Sequence, residues 1–140
     1  MALEVSITNG FKSLITTEKI SKGDTVLILG GKRSDTPDRL SVQIDKNLHA
    51  IDDETTQFQY LNHHCSPNTY FKGEELIALK DLEPGDHVVF DYNSTEYELS
   101  NPFTCICGAS NCKGIIKGYK HLSPAEKEAI KDIVQPYLLG

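Results

Sequence analysis

The four cysteines of the chain are spaced so that they could bind one metal ion. Three of them, Cys105, Cys107 and Cys112, lie within eight residues, and the fourth is Cys65. Four thiolates can share one zinc ion at metal–sulfur distances of about 2.3 Å. The spacing therefore predicts a structural zinc site that holds a C-terminal segment against the segment around Cys65, with any chemistry beside the metal.

Two disulfides or four ordinary thiols are the alternative interpretations, because four cysteines allow three pairings and spacing does not choose between them. Residues 1–6 contain neither a basic region nor an apolar run, so no secretory signal peptide is visible. Disulfides persist in oxidising compartments and are rare in the reducing interior of the cell. The sequence thus favours zinc and predicts an intracellular protein, cytoplasmic or nuclear.

The size and charge of the chain narrow the classes of protein it can belong to. Its 140 residues are enough for one domain with a hydrophobic core of its own. No apolar stretch reaches the roughly 20 residues that a membrane-spanning helix needs. The formal net charge of −6 disfavours direct binding to nucleic acid phosphates and suits a cationic peptide. We therefore expect neither a nucleic acid nor a membrane as a partner.

Short apolar runs bounded by turn residues predict a mainly β fold. Three such runs have the length of strands, namely residues 26–29, 76–79 and 88–90, and residues 40–44 form a fourth candidate strand by partial alternation. Residues 20–26 and 82–88 share one order of residue types, namely an apolar residue, two others, Gly-Asp, one other and valine. We interpret both segments as the same kind of turn feeding a strand, since two short copies do not make a repeat architecture.

The C-terminal segment carries the clearest helical pattern. Ser123 can cap a helix, Pro124 suits the first helical position, and Glu126 completes a capping box. The apolar positions that follow have helical spacing: Ala125, Ala129, Ile130, Ile133, Val134 and Tyr137. The pattern predicts one C-terminal α-helix whose apolar face packs on the domain rather than on a partner.

Three motifs follow one another between residues 62 and 114. They are Asn62-His63-His64-Cys65-Ser66-Pro67-Asn68, then Gly85-Asp86-His87-Val88-Val89-Phe90-Asp91-Tyr92, then Phe103-Thr104-Cys105-Ile106-Cys107-Gly108 with Cys112 and Gly114. In order and spacing the chain resembles the SET-domain lysine methyltransferases. The first motif resembles that family's Asn-His-x-Cys-x-Pro-Asn, the second its motif ending in Asp-Tyr, and the third its zinc-binding post-SET tail.

The resemblance implies a SET-domain (β-clip) fold of small curved sheets with a pseudoknot-like C-terminal segment, an arrangement that is rare among folds. It divides the chain into a SET domain over residues 1–100, a post-SET zinc segment over 101–118, and a helix over 119–140 packed on the domain. It also implies that S-adenosylmethionine and a target lysine enter from opposite faces and meet through a narrow channel.

The resemblance also implies roles for individual residues around the cofactor. Tyr92 is the expected catalytic residue, which contacts the cofactor and orients the target amine. Asn62 and His63 are expected to hydrogen-bond the cofactor. Phe11-Lys12-Ser13 stands where the family has a Gly-x-Gly at which backbone approaches the cofactor, so side chains reach that approach here. By residue type alone, Tyr92 could equally be a buried tyrosine at a strand end and Asn62 a turn residue.

Two phenylalanines and the cysteines complete the implied site. Phe90 stands where the family has Phe or Tyr, which sets the number of methyl groups, and a phenylalanine implies di- or trimethylation. Phe103 is expected to close the substrate channel, where an aromatic face against a cation is worth about 0.5–2 kcal/mol. Both could also be ordinary packing residues. The implied zinc ligands are Cys65, Cys105, Cys107 and Cys112.

The motifs together predict a protein-lysine N-methyltransferase that uses S-adenosylmethionine and Zn²⁺ and acts on a lysine-bearing protein or peptide, with a histone as one candidate. The roughly 30 residues between Gly31 and Tyr60, or a partner, are expected to select the substrate. Two alternatives stay open. One is a catalytically silent SET-like module that binds a peptide or partner, suggested by Phe11-Lys12-Ser13. The other is an unrelated zinc-stabilised interaction domain.

Overall fold

The computed structural model describes residues 3–38, 40–52 and 57–139 of the chain. Within these ranges the strands are β1 (Leu3–Thr8), β2 (Phe11–Thr16), β3 (Thr25–Ile28), β4 (Lys32–Ser34), β5 (Val42–Asp45), β6 (Leu48–Ile51), β7 (Asn62–His63), β8 (Thr69–Lys72), β9 (Glu75–Ala78), β10 (Val89–Phe90), β11 (Phe103–Thr104) and β12 (Ile115–Ile116). The α-helix is α1 (Pro124–Ala129), and 3-10 turns occupy Phe58–Tyr60, Tyr92–Ser94, Tyr119–His121 and Pro136–Leu138.

The strands form five small sheets within the described ranges, and none has more than three strands. Four of the sheets are antiparallel, namely the pairs β1-β2 and β11-β12 and the three-stranded sheets β3-β9-β8 and β4-β6-β5. The fifth is a short parallel pair of β7 and β10. The predicted mainly β fold of small sheets is confirmed, and the four predicted strands correspond to β3, β5, β9 and β10. The pseudoknot-like threading stays a prediction.

The two segments with the shared Gly-Asp order form matching turns that also pair with each other. The N–H groups of Asp24 and Asp86 each donate to the carbonyl three residues earlier, at 3.0 Å in both turns. The glycines before them have φ of 89° and 93°, a region that glycine adopts without strain. At the starts of the segments, Ile20 and Leu82 exchange backbone hydrogen bonds of 2.9 and 2.8 Å. The predicted recurrence of one turn chemistry is confirmed.

One cluster of buried apolar side chains spans β2, β3, β5, β6, β8 and β9. Its most deeply buried members are Leu14, Phe58, Leu61, Phe71, Leu76, Leu82 and Val88. Burying a side chain of the size of Leu or Phe contributes about 1.5–3 kcal/mol. This cluster therefore supplies the rigid frame that carries the short strands β7 and β10.

The C-terminal helix is shorter than its sequence pattern predicts. The capping box is present, but α1 ends at Ala129, and the apolar pattern up to Tyr137 continues in turns. Gln135 is extended, as is usual before a proline, and its N–H donates to the Ser94 carbonyl at 2.9 Å. Ile130 and Val134 are buried in one cluster with Tyr119 and Leu138. The predicted helix length is therefore wrong, and the packing of the apolar face on the domain stays a prediction.

No helix within the described ranges is long and apolar enough to cross a membrane.

Candidate active site and metal centre

The parallel pair of β7 and β10 brings Asn62 and His63 beside the second motif. β7 and β10 run parallel, with Asn62 and His63 opposite Val89 and Phe90. The side-chain amide of Asn68 holds the two segments together, because it donates to one carbonyl (2.7 Å) and accepts from one N–H (3.0 Å) of the segment leading into β10. Two motifs that are separate in the chain thus become neighbours.

The segment Phe11-Lys12-Ser13 lies next to Asn62, as the cofactor interpretation requires. It forms the first half of β2, where the Phe11 side chain is exposed and Ser13 is buried. The Asn62 side chain donates to the Lys12 carbonyl at 3.1 Å. The backbone of this segment is therefore in direct contact with β7, although the glycines that the family uses here are replaced by larger residues.

Tyr92 lies at the centre of an aromatic cluster. Its ring centroid is 4.9 Å from Phe90, 5.3 Å from His63 and 5.8 Å from Phe103. Edge-on and tilted ring contacts at such distances are favourable. The cluster brings together the expected catalytic residue, one expected cofactor residue and both expected channel residues.

A short turn and one hydrogen bond fix the orientation of Tyr92. Asp91 begins the 3-10 turn that carries Tyr92, and its carboxylate accepts from the Asn93 N–H at 2.9 Å. The Tyr92 hydroxyl donates to the Leu61 carbonyl at 2.6 Å. A hydroxyl that donates through its hydrogen can accept an amine N–H through its oxygen. This geometry is compatible with both the structural and the catalytic interpretation of Tyr92.

The imidazole of His63 connects the turn that carries Tyr92 to the cysteines. It is buried, its Nδ1 accepts from the Tyr92 N–H at 3.0 Å, and its Nε2 lies 3.4 Å from the Cys65 sulfur. Burial lowers the pKa of His63 to about 3, so the ring is neutral. Since Nδ1 accepts, the hydrogen-bond network assigns the ring proton to Nε2, facing Cys65. A cofactor contact by His63 would therefore come from its backbone.

Tyr92 and Phe90 line a narrow cavity of about 30 Å³, which is too small for a large ring system. The rest of its wall is mostly apolar, with two acidic and two neutral polar residues: Leu40, Val42, Phe58, Leu61, Leu99, Asp38, Glu96, Ser41 and Gln59. Phe103 contacts the Tyr92 ring without being part of this wall. The cavity thus has the lining expected of a channel for a single side chain.

A wider depression of about 250 Å³ adjoins the narrow cavity and shares Asp38, Leu40 and Gln59 with it. Its remaining wall consists of Ile51 and Asp52. All five residues belong to the segment between Gly31 and Tyr60, in which β4, β5 and β6 form their own sheet. The segment that was expected to select the substrate therefore surrounds the mouth of the cavity.

Glu96 is a buried carboxyl in the cavity wall that the sequence did not single out. The residue is only 6% exposed. Its Oε2 accepts from the Gln43 N–H at 2.8 Å and from the Thr95 hydroxyl at 2.6 Å. Burial raises the pKa of Glu96 to about 7. Since it lies in the polar run 93–98, which is typical of an exposed turn, no sequence signal could have found it.

The four cysteines form one cluster, as their spacing predicted. They carry no disulfide, and their sulfur atoms all lie within 4.8 Å of one another. Tetrahedral zinc would require sulfur–sulfur separations of about 3.8 Å, and Cys65 and Cys105 are at 3.9 Å. Burial raises the pKa of Cys65 to about 12, so a thiolate there needs a cation. The donor set and geometry fit Zn²⁺.

Lys113 ties the cysteine cluster to the turn that carries Tyr92. Its backbone N–H donates to the Cys65 sulfur at 3.4 Å. Its Nζ forms an ion pair at 3.7 Å with Asp91, which is fully buried. Neither residue was assigned a role from the sequence, because an isolated lysine beside a cysteine and an aspartate beside a tyrosine have many ordinary uses.

The comparisons with known proteins agree with the motifs. A family model described as "SET domain" matches residues 12–93, more than half of the chain. The methyltransferase flvH of Aspergillus flavus is 43% identical over 63 residues, covering 42% of this chain and 35% of that protein. An H3 lysine-36 specific histone-lysine N-methyltransferase of Aspergillus oryzae is 36% identical over 77 residues, covering 49% of this chain and 8% of that protein. The chain spans about a third of the length of the first relative and less than a tenth of the length of the second.

Solved structures extend the likeness to the fold. The structure of Arabidopsis thaliana SUVH6 in complex with SAM superposes with a TM-score of 0.65 at 17% identity, covering 81% of this chain and 32% of that chain. At this level of identity the likeness concerns the fold.

Proposed function

The chain belongs to the SET-domain family, and from this premise we propose that it transfers a methyl group from S-adenosylmethionine to the side-chain amine of a lysine in a protein. The observation that carries the proposal is the parallel pairing of β7 with β10. The expected cofactor residues of β7 thereby adjoin the segment whose Phe90 and Tyr92 line the narrow cavity. Direct transfer needs such a meeting point between a donor site and a side-chain channel.

The residues of the site would act mainly by alignment. Bound S-adenosylmethionine supplies a methyl group that is already activated on a sulfonium. The protein then has to hold a neutral amine in line with the carbon–sulfur bond, and alignment of this kind can remove several kcal/mol from a barrier. Tyr92 would accept one amine N–H through its hydroxyl oxygen, while Phe90 and Leu61 exclude water around the amine.

We assign the cofactor to the surface formed by β2 and β7. Asn62 offers both an amide donor and an amide acceptor, and the backbones of His63 and of Phe11-Lys12-Ser13 lie beside it. We assign Zn²⁺ to the four-cysteine cluster in a structural role. Zinc would supply the positive charge that four neighbouring thiolates require.

We propose a lysine within a basic peptide as the substrate. One of the relatives is named for histone H3 lysine 36, so a histone tail is the first candidate. The carboxylates of Asp38 and Asp52 at the wider depression, together with the net charge of −6, suit a cationic peptide rather than nucleic acid. An intracellular location, cytoplasmic or nuclear, follows from this substrate.

Titration of zinc-loaded protein with S-adenosylmethionine tests the proposal. We expect saturable binding near one cofactor per chain, measured by isothermal titration calorimetry. Asn62→Ala should weaken cofactor binding by about tenfold or more, because the hydrogen bonds of one polar side chain are lost. Asn101→Ala, which removes the same amide at an exposed position, should leave affinity unchanged.

Absence of cofactor binding in protein that retains its zinc would refute the methyltransferase proposal. It would favour the silent module instead, with the larger side chains of Phe11-Lys12-Ser13 as the physical cause. Equal binding by wild type and Asn62→Ala would contradict the assigned cofactor surface.

Phe90→Tyr should shift the products toward monomethyl-lysine. Phe90 is buried against Tyr92 and Phe71, so a hydroxyl added there would need a water or a protein acceptor next to the amine. A water held in that place would crowd a methylated amine. Mass spectrometry of a methylated peptide measures the ratio, with thermal unfolding as the check on stability. A product distribution like that of the wild type would show that Phe90 does not set the number of methyl groups.

A further inference from the structure

Glu96 is a buried acid in the wall of the narrow cavity. Within the described residues it forms no ion pair with a lysine, arginine or histidine. Its Oε2 carries both of its side-chain hydrogen bonds, from the Gln43 N–H and the Thr95 hydroxyl. Within the described residues, no group donates a hydrogen bond to Oε1. A carboxylate taken out of water is costly unless a cation or enough donors compensate it.

The cavity supplies the place from which such a cation could come. Glu96 lines it together with Leu40, Val42, Leu61 and Leu99, which offer apolar contacts along the wall. An unbranched alkyl chain with a terminal ammonium would match these two properties, since its stem is apolar and its end is positive. A lysine side chain has this form.

We propose that Glu96 recognises the ammonium group of the target lysine through Oε1. The inference deepens the proposed function and rests on it for the identity of the substrate. Oε2 would keep its structural bonds to β5 and Thr95, and Oε1 would give the cavity its preference for a cation. The role is one of specificity in the first binding of the ammonium form, which loses its proton to solvent before methyl transfer. It is distinct from the alignment of the neutral amine assigned to Tyr92.

Other titratable groups lie on the elements packed around Glu96. They are Tyr92 and Asp38 in the cavity wall, Asp45 on β5, His49 on β6 opposite Gln43, and Tyr137, whose hydroxyl lies 2.6 Å from the Thr95 carbonyl. Burial raises the pKa of Tyr137, so its phenol stays neutral. Of these, Asp38 is the second anionic group in the cavity wall, and it is therefore the alternative that the test must separate.

The test uses n-butylammonium, a lysine side chain without its backbone, and neutral n-butanol as its uncharged counterpart. Both are titrated by NMR into zinc-loaded protein at pH 8 without cofactor. We expect butylammonium to bind about tenfold more tightly than butanol, and Glu96→Gln to abolish that preference. The side-chain oxygen of the glutamine in Glu96→Gln can still accept from the Gln43 N–H, so the fold should persist.

Matched variants make the outcome specific. Glu98→Gln removes the same charge at an exposed position two residues away and should keep the preference, as should Glu96→Asp, which retains the carboxylate. A carboxyl with a pKa near 7 is about one-tenth ionised at pH 6 and nine-tenths at pH 8. Butylammonium affinity should therefore rise several-fold between these values in wild type and stay flat in Glu96→Gln.

A preference that survives in Glu96→Gln, or that disappears in Asp38→Asn instead, would overturn the inference. Because the titration needs no methyl donor, it fails or succeeds independently of the cofactor-binding experiment. Cofactor binding without a cation preference would leave the methyltransferase proposal in place and remove Glu96 from it.

Discussion

Tyr92→Phe should lower the rate of methyl transfer by about 100-fold or more, in the range typical of a group that positions a reacting amine. The change removes the hydroxyl alone. The ring contacts to Phe90, His63 and Phe103 do not involve it, so the aromatic cluster should persist. Single-turnover kinetics with labelled S-adenosylmethionine measure the rate, and calorimetry measures the cofactor affinity, which should change little.

The structural interpretation of Tyr92 makes a different prediction for the same variant. The hydroxyl donates to the Leu61 carbonyl, and its loss should cost about 1–2 kcal/mol of unfolding free energy in either case. If this bond is its whole use, turnover per folded molecule should stay near that of the wild type. Tyr97→Phe, at a half-exposed ring, serves as the control and should affect neither quantity.

Cys105→Ser should abolish zinc binding and with it most of the cofactor affinity. Structural zinc sites contribute about 10–16 kcal/mol in small zinc-dependent units, so the loss of one ligand is expected to release the segment around β11 and β12. The zinc content measured by metal analysis should fall from about one ion per chain to nearly none. Limited proteolysis should then cut within residues 101–118, which the wild type protects.

The reason for a coupled loss of cofactor affinity lies in two contacts. Lys113 reaches from the cysteine segment to Asp91, and the His63 ring reaches from Cys65 to the Tyr92 N–H. Releasing the segment should therefore disturb the turn that carries Tyr92. Ser110→Ala, at an exposed position of the same loop, should change neither metal content nor affinity. Full zinc content in Cys105→Ser would contradict a four-thiolate site.

The sequence suggested the candidate site residues that belong to motifs and passed over those that the fold alone brings in. Asn62, Tyr92 and the cysteines are recognisable because fixed residue types at fixed spacing carry their chemistry. The structure brings the four sulfur atoms into one cluster and places Asn62 next to Lys12, as the motifs predicted. Which atoms of these residues act remained open, since the burial of the His63 ring depends on neighbours from three motifs.

Glu96 and the helix length show why the rest could not be predicted. A glutamate in a polar run is ordinarily solvated, and only β5, which lies about 50 residues earlier in the chain, buries it. The apolar stripe of the C-terminal segment is helical in spacing, yet Gln135 is fixed by backbone partners of distant segments. In both cases tertiary contacts outweigh a local pattern.

The contacts of the last described residues bear on how this domain folds as it is synthesised. The Gln135 side chain donates to the Gly73 carbonyl and accepts from the Gly73 N–H, across 62 positions of the chain. The Tyr137 hydroxyl lies 2.7 Å from the Gln43 carbonyl, across 94 positions. Contacts of such separation make folding slow compared with helical domains of the same length. Because chains grow from the N-terminus, the wall that carries Glu96 acquires its last support only when residue 137 has been made. The domain is therefore expected to fold late, as one unit, and a nascent chain that stops before Gln135 would expose β5 and the lining of the cavity to other proteins.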